Sequence, residues 1–244
     1  MTAHRTIPAL RILKFAPFLR PVVRAFYKRT TPTLKQELMG LSFSGPIGVA
    51  AGVDKSGEFT DIIACYSPSF IEIGPLRDVM STIKHLQDRS EDILILGNLS
   101  NTKNIERSFS LIYDFVDAIV LNVSLNSTVS QIIDHLLELR RYNDTYKPII
   151  FKLYPDLTPE ALDELADYML RSGIDAVMVN ATLVPTIREK THGLMPVIAH
   201  ALISSPEYAA QLLDTGADLI AVSNSPFHYG PSLIKRINKY LEKR

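Results

Sequence analysis

Eight times between residue 45 and the C-terminus, a short apolar, β-branched run is followed by an amphipathic stretch. The runs are Ile47–Ala51, Phe70–Ile73, Ile93–Leu96, Ala118–Val123, Ile149–Leu153, Ala176–Val179, Pro196–Ala199 and Leu219–Val222. Runs of this length without polar alternation are strands covered on both faces. Alternating with helices, they imply a parallel sheet with right-handed crossovers. Eight such units close most naturally as a (β/α)8 TIM barrel, which uses about 250 residues as one unit. The competing fold is an open, doubly wound sheet; no Gly-x-Gly-x-x-Gly follows the first run to support its dinucleotide-binding form.

The helices between the runs carry their own punctuation. The clearest are Ser127–Tyr142, Pro159–Ser172, Pro206–Thr215 and Pro231–Glu242. Pro159 and Pro206 follow Thr158 and Ser205, the arrangement of a capped first turn. Gly173 and Gly216 mark helix ends. The stretch Thr182–Met195 is thin for a full helix.

Ahead of the barrel lies a segment of different character, with a boundary placed between residues 38 and 39. Residues 1–36 hold eight Lys or Arg and no acid, although the whole chain has a formal net charge of zero. Zero net charge argues against nucleic-acid binding, which needs a basic surface. Within the head, Leu10, Leu13, Phe15, Phe18, Leu19, Val22 and Phe26 interleave with Arg11, Lys14, Arg20, Arg24, Lys28 and Arg29. Pro17 and Pro21 divide it into short helices. A short basic amphipathic helical extension of this kind either lies on an anionic membrane surface or packs its apolar side on the barrel, and the two are compatible. The lone Cys65 excludes an intrachain disulfide, and the sequence shows neither a span-length apolar run nor a signal-peptide core. Together these give a cytoplasmic expectation, peripheral on the membrane face.

In barrels of this type, chemistry gathers at the C-terminal strand ends. Those ends carry Ala50-Ala51-Gly52 with Lys55 behind them, then Gly97-Asn98, Asn122 with Ser124, Lys152, and Asn180 with Thr182. Lysines there stabilise an anion, and carboxamides pair with the edge of a planar heterocycle. Lys152, inside an apolar strand, calls for a ligand or an acidic partner. Each asparagine alone can instead satisfy loop backbone. The histidines show no metal-ligand spacing, and no metal is expected.

Residues 39–58 (MGLSFSGPIGVAAGVDKSGE), 70–74 (FIEIG), 147–162 (KPIIFKLYPDLTPEAL) and 214–237 (DTGADLIAVSNSPFHYGPSLIKRI) resemble, in order, blocks of the dihydroorotate dehydrogenases, and most closely the membrane-linked class 2 enzymes. The resemblance implies FMN-dependent oxidation of dihydroorotate to orotate, a step of pyrimidine biosynthesis. It also implies N-terminal helices that meet the membrane. It places Ala50, Ala51 and Gly52 against the flavin, Lys55 on the orotate carboxylate, Asn98 near the flavin, and Asn122 facing both ligands. Lys152 falls beside the flavin ring, and Asn180 falls at a Thr-Asn pair.

The chain also departs from that family. The serine or cysteine base of the family falls at Leu125, with Ser124 and Ser127 nearby but displaced. The Asn-rich segment after the second strand and the Gly-Gly-Leu-Ser-Gly stretch after the sixth are missing. The phosphate-binding Gly-Gly and Tyr-Ser pairs read Ala201-Leu202 and Ser223-Asn224, and side chains in place of glycine weaken a backbone phosphate nest. Three functional readings stay open: a working dehydrogenase; a degenerate, non-catalytic barrel that binds a small anionic ligand, a protein partner or a membrane surface; and a different reaction around Lys55 and Lys152.

Overall fold

Eight parallel strands close into a barrel in the computed structural model, which describes residues 8–27, 32–100, 104–122, 129–153, 158–223 and 232–244. The barrel strands are β3 (Ile47–Val49), β4 (Phe70–Ile73), β5 (Leu94–Leu99), β6 (Ala118–Leu121), β7 (Ile149–Lys152), β8 (Ala176–Asn180), β9 (Val197–Ala201) and β10 (Leu219–Val222). Each pairs with the next, and β10 closes on β3. All eight runs expected from the sequence are strands, and the TIM barrel is the fold.

Around the barrel lie α3 (Thr60–Ala64), α4 (Val79–Gln87), α5 (Ile105–Ile112), α6 (Val129–Arg141), α7 (Pro159–Ser172), α8 (Val184–Lys190), α9 (Pro206–Asp214) and α10 (Leu233–Leu241). The expected caps form: the Thr158 and Ser205 side chains accept hydrogen bonds from the backbone N–H of Ala161 and Tyr208. Gly173 closes α7 in the left-handed region at φ 91°. The thin stretch after β8 resolves into a short 3-10 turn, Ala181–Leu183, and the seven residues of α8. Pro231 lies outside the described residues.

Alternate side chains of each strand face the barrel axis. The interior is a separate apolar cluster that includes Phe70, Leu96, Val120, Ile150, Met178 and Ile198, while the opposite faces pack against the helices. The interior is tight. A Cβ on Gly48 would stand 2.4 Å from the Phe70 ring, so the position admits only glycine.

The N-terminal end of the barrel is closed in two ways. A hairpin of β1 (Gln36–Leu38) and β2 (Leu41–Phe43), which the sequence pattern did not reveal, pushes the fully buried Phe43 under the interior. Phe43 meets Phe70 edge-on at 5.9 Å. This hairpin joins residues on either side of position 38.

The second closure repeats around the rim. Asp117, Asp175 and Asp218 each sit one residue before β6, β8 and β10 and donate their backbone N–H to the preceding strand, at the carbonyls of Ile95, Ile149 and Val197. Each carboxylate accepts the N–H of that same residue, at 2.7, 2.8 and 2.7 Å. Ser69, before β4, makes the corresponding backbone bond to Ile47. Arg140 and Arg188 neutralise Asp175 and Asp218.

The head forms α1 (Pro8–Phe15), a 3-10 turn at Pro17–Leu19, and α2 (Arg20–Tyr27), broken at the two prolines as expected. Leu13 is buried, and Leu19, Val23 and Tyr27 pack on the barrel core. Lys14, Arg20 and Arg24 form ion pairs with Glu58, Asp61 and Glu91 of the barrel. The outward face carries Ile12, Phe15, Phe18, Val22 and Phe26, all exposed, with Phe15 at 83%. Lys14, Arg20 and Arg24 thus turn towards the acidic body, and Phe15 and Phe18 away from it. No helix among the described residues is long and apolar enough to cross a membrane.

Candidate ligand site at the C-terminal mouth of the barrel

At the C-terminal end, the layered apolar interior gives way to a polar tier. Strand parity builds it. Ala50, Glu72, Asn98, Asn122, Lys152, Asn180 and His200 each lie two residues beyond an interior-facing position of their own strand. One tier of one barrel therefore gathers Ala50, Asn98, Asn122, Lys152 and Asn180, which the sequence singled out. It also gathers two residues that the sequence reading passed over, Glu72 and His200.

Glu72 organises the tier. It is completely buried, yet all of its acceptor positions face donors. Lys152 Nζ donates to Oε1 at 2.8 Å and to Oε2 at 3.0 Å. Asn98 Nδ2 donates to Oε1 at 2.5 Å, and the Ala51 backbone N–H to Oε2 at 2.8 Å. A buried carboxylate persists only with such compensation. The acidic partner that Lys152 called for is Glu72. The sequence offered a signal: a glutamate in the midst of the buried run Phe70–Ile73, at the same parity as Phe70, needs a cation across the barrel.

Other acceptors in the tier lack donors. Asn98 gives its amide N–H to Glu72, but its Oδ1 is buried with no hydrogen-bond partner among the described residues, and so is Asn122 Oδ1. A buried unsatisfied carbonyl costs about 1–3 kcal/mol, so a pair of them in one tier points to a donor supplied from outside the protein.

His200 faces the same space. Burial pushes its imidazole below the ordinary 6.5, Lys152 pushes it further down, and Glu72 opposes them. Asn180 is exposed, and its Oδ1 accepts from Thr182 N and Thr182 Oγ1, capping the turn after β8. This is the local role open to any strand-end asparagine.

The loop after β3 is built by another residue absent from the sequence reading. Asp54, 1% exposed, accepts from the backbone N–H of Ser56, Gly57 and Phe59 and from Thr60 Oγ1. Burial pushes its carboxyl up against these bonds. The resulting knot sets the course of the backbone at Lys55, which is half-buried. Gly52 adopts φ 94° with open space where a Cβ would stand, and its N–H reaches the Gly74 carbonyl at 2.9 Å. Gly74 itself has no room for a side chain: a Cβ would lie 2.9 Å from the Asn98 carbonyl oxygen.

Ser124, Leu125, Ser127, Asn224 and Ser225 lie outside the described residues. Ala201 and Leu202 do not. Leu202 projects its side chain, 55% exposed, at the end of β9. An FMN therefore meets two different environments. The ring end fits the open Gly52 turn and the unpaired carboxamide oxygens. The phosphate end does not fit Ala201-Leu202, where side chains stand in place of the backbone nest. A cleft of about 500 Å3 at the opposite end of the barrel, between Arg24, Lys35, Asp92 and Asn238, includes none of the strand-end candidates for the site.

Comparison with known proteins follows the same lines. No family model matches the chain. The dihydroorotate dehydrogenase (quinone) of Haemophilus ducreyi is 25% identical, over 98% of this chain and 94% of that protein. The protein of the same description from Actinobacillus pleuropneumoniae is 24% identical, over 85% and 87%. The first alignment runs over 329 positions, more than the 244 residues present here, so this chain lacks internal segments that the relative has. Among solved structures, that of DHODH from Eimeria tenella in complex with ferulenol superposes with a TM-score of 0.77 at 18% identity, over 96% of this chain and 93% of that one. In sequence over most of its length, and in fold, this chain resembles the dihydroorotate dehydrogenases, and both sequence relatives named above are described as dihydroorotate dehydrogenase (quinone).

Proposed function

We propose that this chain is a dihydroorotate dehydrogenase-like barrel that still binds a planar heterocycle of the flavin or pyrimidine kind at its mouth but does not oxidise dihydroorotate. The observation that carries the binding is the pair of buried, donorless carboxamide oxygens of Asn98 and Asn122 beside the Glu72–Lys152 pair. A heterocycle with ring N–H groups supplies the missing donors. Gly52 leaves space for its edge, and Lys55 stands in the adjoining loop.

The loss of turnover rests on Leu125. It occupies the place where the resemblance puts the proton-accepting side chain, and an alkyl group accepts no proton. Displacement of Ser124 or Ser127 from that place is itself costly, since about 1 Å of misplacement loses roughly a hundredfold in rate. The missing substrate segment and the leucine at the phosphate position favour the same conclusion.

We also propose a peripheral position on a membrane for the head. Support comes from the outward apolar face of the head, Ile12, Phe15, Phe18, Val22 and Phe26, on a segment rich in Lys and Arg.

Two assays on the purified protein test the main proposal: binding of FMN, riboflavin and orotate, and dihydroorotate oxidation with a quinone or dye acceptor in the presence of excess FMN. Binding without turnover is expected. Turnover at an enzyme-like rate overturns the loss of chemistry, and failure of all three ligands to bind overturns the ring site.

A further inference from the structure

Among the described residues, the polar tier on the strands holds an ionisable side chain that the Glu72–Lys152 arrangement does not use. His200 lies on the interior face of β9, two residues beyond Ile198 of the interior cluster, in register with Asn180 of β8 and Ala221 of β10. Among the described residues, neither of its ring nitrogens has a hydrogen-bond partner. A half-buried imidazole with both nitrogens unused, in a tier that also holds two donorless carboxamides, is arranged for something that enters the mouth.

We propose that His200 is a specificity-determining residue of the mouth: neutral, it offers a hydrogen-bonding edge to a bound ring, and protonated, it selects a ring that carries an anionic group. The proposal rests on the ring-binding site proposed above.

The charge balance supports it. Glu72 and Lys152 cancel each other within one hydrogen-bonded pair. They are the two charged groups that act on His200 from inside the barrel. The flanking strands present Met178 and Asn180 on one side and Ala221 and Ser223 on the other, none of which titrates. Behind β9, α8 carries Arg188, Glu189 and Lys190 on the outside of the barrel, where Arg188 is held by Asp218 and Lys190 by Asp163. Glu207 on α9 is fully exposed. A proton on His200 therefore adds a positive charge that this Glu72–Lys152 pair does not already neutralise, in a half-buried place where charge is poorly screened.

The test compares ligand pairs that differ by the anionic group: orotate against uracil for a carboxylate, FMN against riboflavin for a phosphate. Affinities are measured by calorimetry or fluorescence between pH 8 and pH 5 for the wild-type chain and His200→Gln, with thermal melts to verify that the variant folds. His200→Asn serves as a second neutral variant. The expected result is a gain of tenfold or more on acidification for the anionic member of at least one pair, no such gain for its neutral counterpart, and loss of the difference in both variants. Each variant meets the same titration of the ligand itself, so the wild-type-minus-variant difference isolates His200. A wild-type preference that does not change with pH overturns the role of His200 while leaving the ring site standing, as does a pH dependence that survives in the variants. Absence of binding by all four ligands at every pH overturns the ring site and this role together.

Discussion

The two ends of this barrel are built from the same strands and use their polar groups differently. At the N-terminal end, Asp117, Asp175 and Asp218 repeat one pattern: each gives its N–H to the strand before and takes an N–H back on its carboxylate. Arginines answer Asp175 and Asp218, and a hairpin seals the interior. At the C-terminal end, a buried ion pair shares its tier with two carboxamide oxygens and an imidazole that have no hydrogen-bond partner among the described residues. Groups that satisfy each other stabilise a fold, whereas a buried group left unsatisfied is free to take a ligand. Arg24 Nε and Asn238 Oδ1, at the cleft of the N-terminal end, are also buried without a hydrogen-bond partner among the described residues; what sets the mouth apart is that its unsatisfied oxygens stand at strand ends beside a buried ion pair, at the end where this architecture places ligands.

Substitutions at the two ends should separate these roles. Lys152→Met should have the largest effect, because it leaves the Glu72 carboxylate buried without its cation; a loss of about 3–5 kcal/mol in chemical denaturation is expected. Adding Glu72→Gln should restore much of it. If the single variant unfolds at the wild-type denaturant concentration, the pair is not the anchor of the mouth.

Asp175→Ala at the other end should cost about 3 kcal/mol, since it strips partners from Arg140 and from the Ile149 N–H. Its effect on ligand affinity should be negligible. Asn122→Leu should do the reverse: stability unchanged or up by about 1 kcal/mol as a donorless carbonyl is removed, with ligand affinity lost. Equal destabilisation by both substitutions would erase the contrast between the ends.

Stability should also depend on pH through His200. Folding pushes this base below the 6.5 of the open chain, so the folded state binds fewer protons. Its contribution is intact above about pH 6.5 and is lost as the pH falls from there through the lowered value. Denaturation from pH 7.5 to pH 5 should show this loss, and His200→Gln should flatten it. The smallest change is expected from Arg20→Ala in the head, below about 1 kcal/mol, because its pair with Asp61 is long and partly solvated. Vesicle binding by the head should depend on its outward aromatics, and Phe15→Ser with Phe18→Ser should abolish it.

How much of this was legible in the sequence depends on the distance over which each signal acts. Strand and helix periods are local, and the eight runs, the capping residues Thr158 and Ser205, and the breaks at Pro17 and Pro21 all read directly. The candidate residues at the strand ends read from their position once the barrel was inferred. Glu72 did not, because its partner Lys152 lies 80 residues away and only barrel closure brings them together. His200 looked like one of several scattered histidines until the parity of β9 turned it inward. The hairpin escaped because two three-residue strands leave too short a period to detect. The direction of the head's charges depended on Glu58, Asp61 and Glu91, acids that only the folded barrel places beside it.

The most direct measurement is a fluorescence titration of riboflavin and FMN into the wild-type chain and into Asn122→Leu, with melting temperatures recorded alongside. Saturable binding to the wild type, at least tenfold weaker in a variant that melts no lower, is the predicted result. Equal binding by both proteins, or no binding by either, would contradict the assignment of the polar tier to a ring ligand.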